Sequence, residues 1–490
     1  MDSEESAKSP NVLPDITLIR RAEETLHRHV PEVGLGLDAV KEHLTKDVAP
    51  ALNGSSQSSR YYGFVTGGAT PAAVFADNMV TEYDQNVQVH LPNETIATDV
   101  EAAALTMICD LVELDPTQWT HRTFTTGATA ANIIGLAVAR EHVMSTAAMR
   151  NGRDPREAHP TVSSHGLHTA MAYAGIDEIQ ILTSAPHSSL RKAASIIGLG
   201  HASVKDVGHY PTGPHRFDLE KLEQAMKKSR VASIIVVSCS EVNSGLFATF
   251  THNMIRLRQL ADQFGAWIHV DAAFGLLARI LPDNDPMYRF QKAGVGNLEY
   301  ADSIAADAHK LFNVPYDCGI FLSRHLKTGT DVFQNPGAPY LNAEAGSVPS
   351  PLNIGIENSR RFRALPVYAN LLALGRQGFV DMLKRQIKLA RKIAEYINTS
   401  DDYELLPPYP HSEIGCYLTI YIIVLFRLKN PEANKTLVQR INSSGKIYVS
   451  GTAWESQPAC RFAISNWKSS VEKDWPLIET ILKQAAVGFD

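Results

Sequence analysis

The residue whose type and setting first suggest chemistry is Lys310. It lies in the run DSIAADAHKLFNVPYDCG from Asp302 to Gly319, directly behind His309 and three residues after Asp307. A primary amine is the side-chain group that forms an imine with an aldehyde cofactor, and such a cofactor serves as an electron sink for carbanion chemistry. Most lysines are surface residues. Here the Pro- and Gly-bearing turn that follows predicts a strand-to-loop junction, not a solvated helix face.

Three other segments carry groups that suit the same cofactor. In AWIHVDAAFG, Ala266 to Gly275, an apolar run ends by presenting Asp271. A carboxylate there keeps a pyridine nitrogen protonated and strengthens the ring as an electron sink; the alternative is a cap for the next helix. In TTGATAAN, Thr125 to Asn132, a small-residue turn leads from a strand end into a helix. Free backbone N–H groups and the positive helix end then suit a phosphate, although a strand-to-helix turn that merely needs glycine reads the same way. In APHSSLRK, Ala185 to Lys192, His187 opens a helix. Its ring can pack on an aromatic cofactor while its nitrogens stay available, or it is an ordinary partly exposed polar residue.

Elements that could position these groups follow from periodicity. Apolar strands are predicted at 178–182, 233–238, 267–270 and 319–323, interleaved with helices such as 132–145 and 250–264. Alternation of this kind argues for a largely parallel sheet. A helical stretch over 365–397 precedes strands at 417–425, 446–450 and 461–464, an α+β pattern. Before residue 50 the chain is mostly helical, with a break near Pro31 to Gly34.

With 490 residues, 44% of them apolar, the chain can bury more than one core. A net charge of -6 gives no electrostatic case for a nucleic-acid partner. The five cysteines, Cys109, Cys239, Cys318, Cys416 and Cys460, form no C-x-x-C pair, so neither a disulfide framework nor a metal site is expected. The polar, acidic start and the lack of a bilayer-length apolar run predict a cytoplasmic protein without membrane attachment.

Taken in order, these segments resemble the group II pyridoxal-phosphate-dependent decarboxylases, the family of aromatic-amino-acid, tyrosine, histidine and glutamate decarboxylases. The likeness runs from about Arg60 to about Trp467, with further matching blocks at 61–77, 125–140, 185–200, 359–365 and 446–466. It implies a type I, aspartate aminotransferase-like α/β fold: a large domain with a mainly parallel seven-stranded sheet, a small α+β C-terminal domain and an N-terminal helical arm. The corresponding boundaries are 1–85 for the arm, 86–350 for the large domain with a lid at about 327–352, and 351–490 for the small domain.

The same resemblance implies the roles of individual residues. Lys310 anchors pyridoxal 5'-phosphate, Asp271 tunes its ring nitrogen and His187 stacks on its ring. Ala128 and Thr129 hold the phosphate, with Asp307 and His309 contributing. Tyr340, in the long polar stretch 327–352, returns a proton to the substrate α-carbon, unless it is an ordinary loop aromatic. Phe64, Val65 and Thr66 form the substrate wall, with Val87 and Val89 supplied by the neighbouring subunit of a homodimer and His90 and Glu94 near the mouth. Arg360, Arg361 and Arg461 are structural pairing residues. The expected reaction is decarboxylation of an L-amino acid, best read as aromatic, to an amine and carbon dioxide. Aliphatic and acidic substrates stay open, as do decarboxylation-coupled oxidation to an aldehyde, other carbanion chemistry on the cofactor, and a catalytically silent dimeric binding protein.

Overall fold

The computed structural model describes residues 11–154, 159–211, 213–335, 348–407 and 416–487. The chain divides into two compact units, one made of 69–384 and one of 1–68 together with 385–490.

The larger unit is built on a seven-stranded sheet. Its strands are β1 (His121–Thr125), β2 (Glu178–Thr183), β3 (Val204–Asp206), β4 (Val231–Ser238), β5 (Trp267–Asp271), β6 (Ser303–Asp307) and β7 (Gly319–Ser323). Their order across the sheet is β1-β7-β6-β5-β4-β2-β3. All neighbours run parallel except β7, which is antiparallel to both β6 and β1. A sheet with helices over both faces buries its strands on both sides; β6 and the antiparallel β7 are buried at every position.

The helix α1 (Ala128–Arg150) leaves directly from β1 and packs along the sheet. Leu136, Val138, Ile181, Leu190, Ile234 and Trp267 form a core between it and the strands. Full burial of each such side chain contributes about 1.5 to 3 kcal/mol. Three shorter helices complete the frame around the strand ends: α2 (Ser188–Ile196), α3 (Ala308–Leu311) and α4 (Leu326–Phe333).

The smaller unit has a five-stranded sheet. The strands β8 (Tyr403–Leu406), β9 (Ile423–Leu428), β10 (Tyr448–Trp454) and β11 (Gln457–Ala463) pair antiparallel. The short strand Tyr61–Tyr62 joins the edge of β10 in parallel. This pairing explains why the division differs from the sequence-based boundaries at 85 and 350. Hydrogen bonding of Tyr61 and Tyr62 to β10 draws the N-terminal segment into the C-terminal unit, and sequence periodicity carries no record of a pairing across nearly 400 residues.

Other expectations need correction. The segment from Cys416 to Thr419 is a turn of 3-10 helix, so β9 begins at Ile423 and not at Tyr417. The first part of the expected lid is the helix α4, and 336–347, which includes Tyr340, lie outside the described residues. In the arm, Ile16–Thr25 and Leu37–His43 are helical and the break between them falls where the sequence placed it.

Candidate active site

Parallel strands deliver their C-terminal ends to one edge of a sheet, and side chains that leave those ends converge there. Register makes this explicit in the larger unit. Ser238 pairs with Asp271, Asp271 with Ala305, Asp307 with Gly319, and Gly319 with Thr125. Along that edge lies a cavity of about 330 Å³ whose lining includes Ala128, Thr129, His187, Asp271, Asp307, His309 and Lys310. These seven residues come from four separate stretches of chain and meet only through the sheet.

Lys310 sits on the one-turn helix α3 immediately after β6, a helical turn where sequence predicted a loop. Its Nζ lies 2.7 Å from Asp307 Oδ2 and 5.7 Å from the centre of the Phe274 ring. Asp307 is buried at the end of β6 and also accepts the Ala128 N–H through Oδ1 at 2.5 Å. The carboxylate therefore ties the lysine to the first turn of α1. That N–H is thus engaged by Asp307, and the cavity-lining amides without an intrahelical acceptor by position are those of Thr129 and Ala130.

His309 is buried beside them. Its Nδ1 accepts the Cys318 N–H at 3.2 Å, so the neutral ring carries its proton on Nε2, 3.5 Å from Asp307 Oδ1. Burial lowers its pKa, and Lys310 adds to that, while Asp307 pulls the other way. The ring also packs against Tyr316 with centroids 4.5 Å apart.

His187 caps α2. Its Nδ1 accepts the Ser189 N–H at 3.2 Å and pairs with Ser189 Oγ at 2.5 Å, which leaves Nε2 as the nitrogen without an assigned partner on an exposed ring. Asp271 ends β5; its Oδ1 accepts the Ala273 N–H at 3.3 Å and its Oδ2 accepts from Asn132 Nδ2 at 2.9 Å.

The residues fit pyridoxal phosphate by their own chemistry. A primary amine, a carboxylate some distance along the same edge, and two open first-turn amides line one cavity. Its volume falls within the usual range for small-molecule sites of roughly 300 to 1,000 Å³.

A family model, described as the pyridoxal-dependent decarboxylase conserved domain, matches residues 21–419. The chain belongs to the pyridoxal-dependent decarboxylase family. Among its relatives, tryptophan decarboxylase 1 of Oryza sativa subsp. japonica is 24% identical over 98% of this chain and 90% of its own length. L-2,4-diaminobutyrate decarboxylase of Acinetobacter baumannii is 28% identical over 58% of this chain, and the match spans about half of that relative, 52%. The crystal structure of Oryza sativa TDC with PLP and tryptamine superposes with a TM-score of 0.78 at 20% identity, covering 97% of this chain and 94% of that one. The fold is accordingly the type I fold of the pyridoxal-dependent decarboxylases, and pyridoxal phosphate is the cofactor of the family.

Several expected residues lie apart from the cavity lining. In the smaller unit, Phe64 and Val65 both adopt left-handed backbone, with φ of 56° and 62°. Two such residues in succession, one β-branched, store strain of the kind found at functional loops. Phe64 is 64% exposed beside Tyr448, whereas Val65 and Thr66 are buried. In the larger unit, Val87 is buried against its own chain at 1% exposure and its N–H donates to the Arg360 carbonyl, so its side chain is core and is not available to a neighbouring subunit. Val89 and His90 are half-buried, and His90 N–H bonds Ser350 Oγ; Glu94 is exposed.

Sequence reasoning missed Asn132 and His269, and the cavity-lining serines Ser238, which ends β4, and Ser240 just beyond it. A signal for His269 was present. It precedes Asp271 by two residues on a strand, which puts both on the same face.

Proposed function

We propose that this protein decarboxylates an aromatic L-amino acid, releasing the corresponding amine and carbon dioxide. The observation that carries the reading is the meeting of Lys310, Asp271 and the first turn of α1 around one cavity. The choice of an aromatic substrate is supported by the likeness to tryptophan decarboxylase 1 along almost the whole chain. Phe64, Val65 and Thr66 remain our assignment for the substrate side-chain wall, supported by the strained backbone there and the exposed Phe64 ring.

Bound in the cavity, pyridoxal phosphate supplies an electron sink for the pair left on the α-carbon when the carboxylate departs. Every other contribution belongs to this chain. Lys310 offers the amine that anchors the cofactor and must surrender a proton before it can act, with Asp307 Oδ2 at 2.7 Å. Asp271 would face the ring nitrogen, and the Thr129 and Ala130 amides, at the positive end of α1, would hold the phosphate. His187 would pack on the cofactor ring, with Nε2 the nitrogen free to meet the substrate carboxylate. Burial of Asp307 and His309 excludes water from the lysine side of the site, which strengthens the interactions there. Tyr340 is our candidate for the residue that returns a proton to the α-carbon.

We further propose a homodimer, supported by apolar arm residues left in solvent, among them Val30, Val33 and Leu37, which are 94%, 81% and 68% exposed. A cytoplasmic location is supported by the buried free thiols of Cys109, Cys239, Cys318 and Cys460. Among the described residues no helix is long and apolar enough to cross a membrane.

Product analysis tests the reaction. The cofactor-loaded protein is given the common amino acids in air, with Lys310→Ala beside it, and the products are identified by mass spectrometry. An aromatic amine made only by the wild type supports the reading. Aldehyde with peroxide would transfer the protein to decarboxylation-coupled oxidation. An aliphatic amine would overturn the substrate class, and no product at all would overturn the reaction.

A further inference from the structure

A chain of buried polar groups runs behind Asp271. Asn132 on α1 places its Nδ2 at 2.9 Å from Asp271 Oδ2 and its Oδ1 at 2.8 Å from His269 Nε2. His269 Nδ1 lies 2.7 Å from Ser303 Oγ, and Ser303 Oγ accepts the indole N–H of Trp267 at 2.9 Å. Asn132, His269, Ser303 and Trp267 are all fully buried.

The chemistry of the groups fixes the direction of every bond. A carboxylate only accepts, so Asn132 must turn its NH2 toward Asp271 and its carbonyl toward His269. His269 Nε2 must then carry a proton. Burial pushes the His269 pKa down to about 3, so the ring is neutral and its Nδ1 is an acceptor. Ser303 therefore donates its hydroxyl hydrogen to Nδ1 while its lone pair receives the indole N–H. All four bonds point the same way, toward the carboxylate.

A second observation shows that the fold makes room for this chain. Gly135 lies one helical turn beyond Asn132 on α1, and a Cβ there would sit 2.5 Å from His269 Cε1 and 2.7 Å from its Nδ1. Glycine inside a helix costs about 1 kcal/mol relative to alanine. Its place here is explained by the imidazole ring, which approaches the α1 backbone so closely that no side chain fits between them.

We propose that Asn132 is a positioning residue, the last link of a one-way hydrogen-bond chain from Trp267 through Ser303 and His269 that locks the Asp271 carboxylate in place. Asn132 occupies Oδ2 with the shorter bond and Oδ1 holds only the longer one from Ala273 N–H, so Oδ1 is the more weakly engaged oxygen and the one we assign to a ring nitrogen. The inference rests on the proposed cofactor site and assigns Asn132 and His269 no contact with substrate.

The test uses the holoenzyme, with pyridoxal phosphate labelled with 15N in the ring. Asn132→Leu, His269→Leu and His269→Gln are compared with wild type for cofactor retention by equilibrium dialysis and for ring-nitrogen protonation by NMR across pH. Loss of a hydrogen bond to a charged group predicts about 10- to 100-fold weaker retention in Asn132→Leu. Its ring nitrogen should also lose its proton at a lower pH than in the wild type. Glutamine can still donate to Asn132 Oδ1, so His269→Gln should fall between wild type and His269→Leu. A packing role would make those two variants equal, since their side chains are similar in volume, and that equality would overturn the relay. So would an unchanged nitrogen titration in both Asn132→Leu and His269→Leu. Failure of the wild type to take up the cofactor would instead overturn the cofactor site and this inference with it, while wild-type uptake with silent variants would sink the relay alone.

Discussion

Asp271 and Asp307 are both carboxylates at strand ends, yet their surroundings give them different work. Asp307 is enclosed, with Ala128 N–H on one oxygen and Lys310 Nζ on the other. Asp271 is partly open and lines the cavity, with one oxygen bound to an amide and the other holding a single long bond. The first is therefore placed to organise the lysine and α1, the second to meet a cationic ring. Asp271→Asn keeps the shape and still offers an acceptor to Asn132, so the variant should melt close to wild type. Losing a preorganised charge at the reacting centre should lower kcat/KM by about 10²- to 10³-fold, measured by steady-state kinetics at saturating cofactor.

At the scale of elements, the site depends on how closely β7 and the turn between β1 and α1 approach. Gly319 opens β7 opposite Thr125, and a Cβ on it would lie 2.5 Å from the Gly127 Cα, the Gly127 carbonyl carbon and Thr125 Oγ1. Two of those atoms are backbone, so the turn itself must move. Gly319→Ala should destabilise the protein by about 1 to 3 kcal/mol, as overpacking does. The displaced first turn of α1 should also hold cofactor less tightly, read by a lower melting temperature and a higher cofactor dissociation constant in the same preparation.

At the scale of the larger unit, two buried electrostatic features govern stability. Arg360 and Glu101 form a pair with side chains 2% and 5% exposed, and Arg360 also bonds Thr123 Oγ1 at 3.1 Å. Burial pushes the Glu101 carboxyl up against the pull of Arg360. Glu101→Ala strands the guanidinium without its anion and should cost about 3 to 5 kcal/mol in urea denaturation, as breaking a buried pair does. The second feature is a set of histidines kept neutral by burial, of which His121, His215 and His269 are buried and His142 is half-buried. Burial lowers His121, His142 and His215 to about 4 and His269 to about 3, from an ordinary 6.5. The unfolded chain binds protons on these rings below pH 6.5 while the folded one does not, so their contribution is full above 6.5 and is lost as the pH falls toward 4. Glu101 and Glu141, raised by burial, act with the opposite sign in a window that runs upward from about 4.5, and so offset part of that loss. The melting temperature should therefore drop from pH 6.5 to 5, and His142→Gln should make that drop shallower in a calorimetric pH series.

The sequence by itself determined the cofactor chemistry and most of the parallel sheet. Lys310 follows an alternation of apolar strands and helices; β4 and β7 are nearly continuous apolar runs, and β2 and β5 are apolar runs interrupted by Gln180 and His269, so that their burial on both faces is largely written in their composition. The sequence marks only the end of β1, before the Thr125 turn, and not its extent, because HRTFT is mostly polar and its partners, not its residues, make it a strand. Tertiary structure alone decided the union of Tyr61–Tyr62 with β10, the burial of Val87, the capture of the Ala128 N–H by Asp307, and the orientation of the Asn132 amide. The physical reason is shared. Local periodicity encodes which face of an element is apolar, but a hydrogen bond between residues 139 apart, such as Asn132 to Asp271, exists only once the sheet has set α1 beside β5.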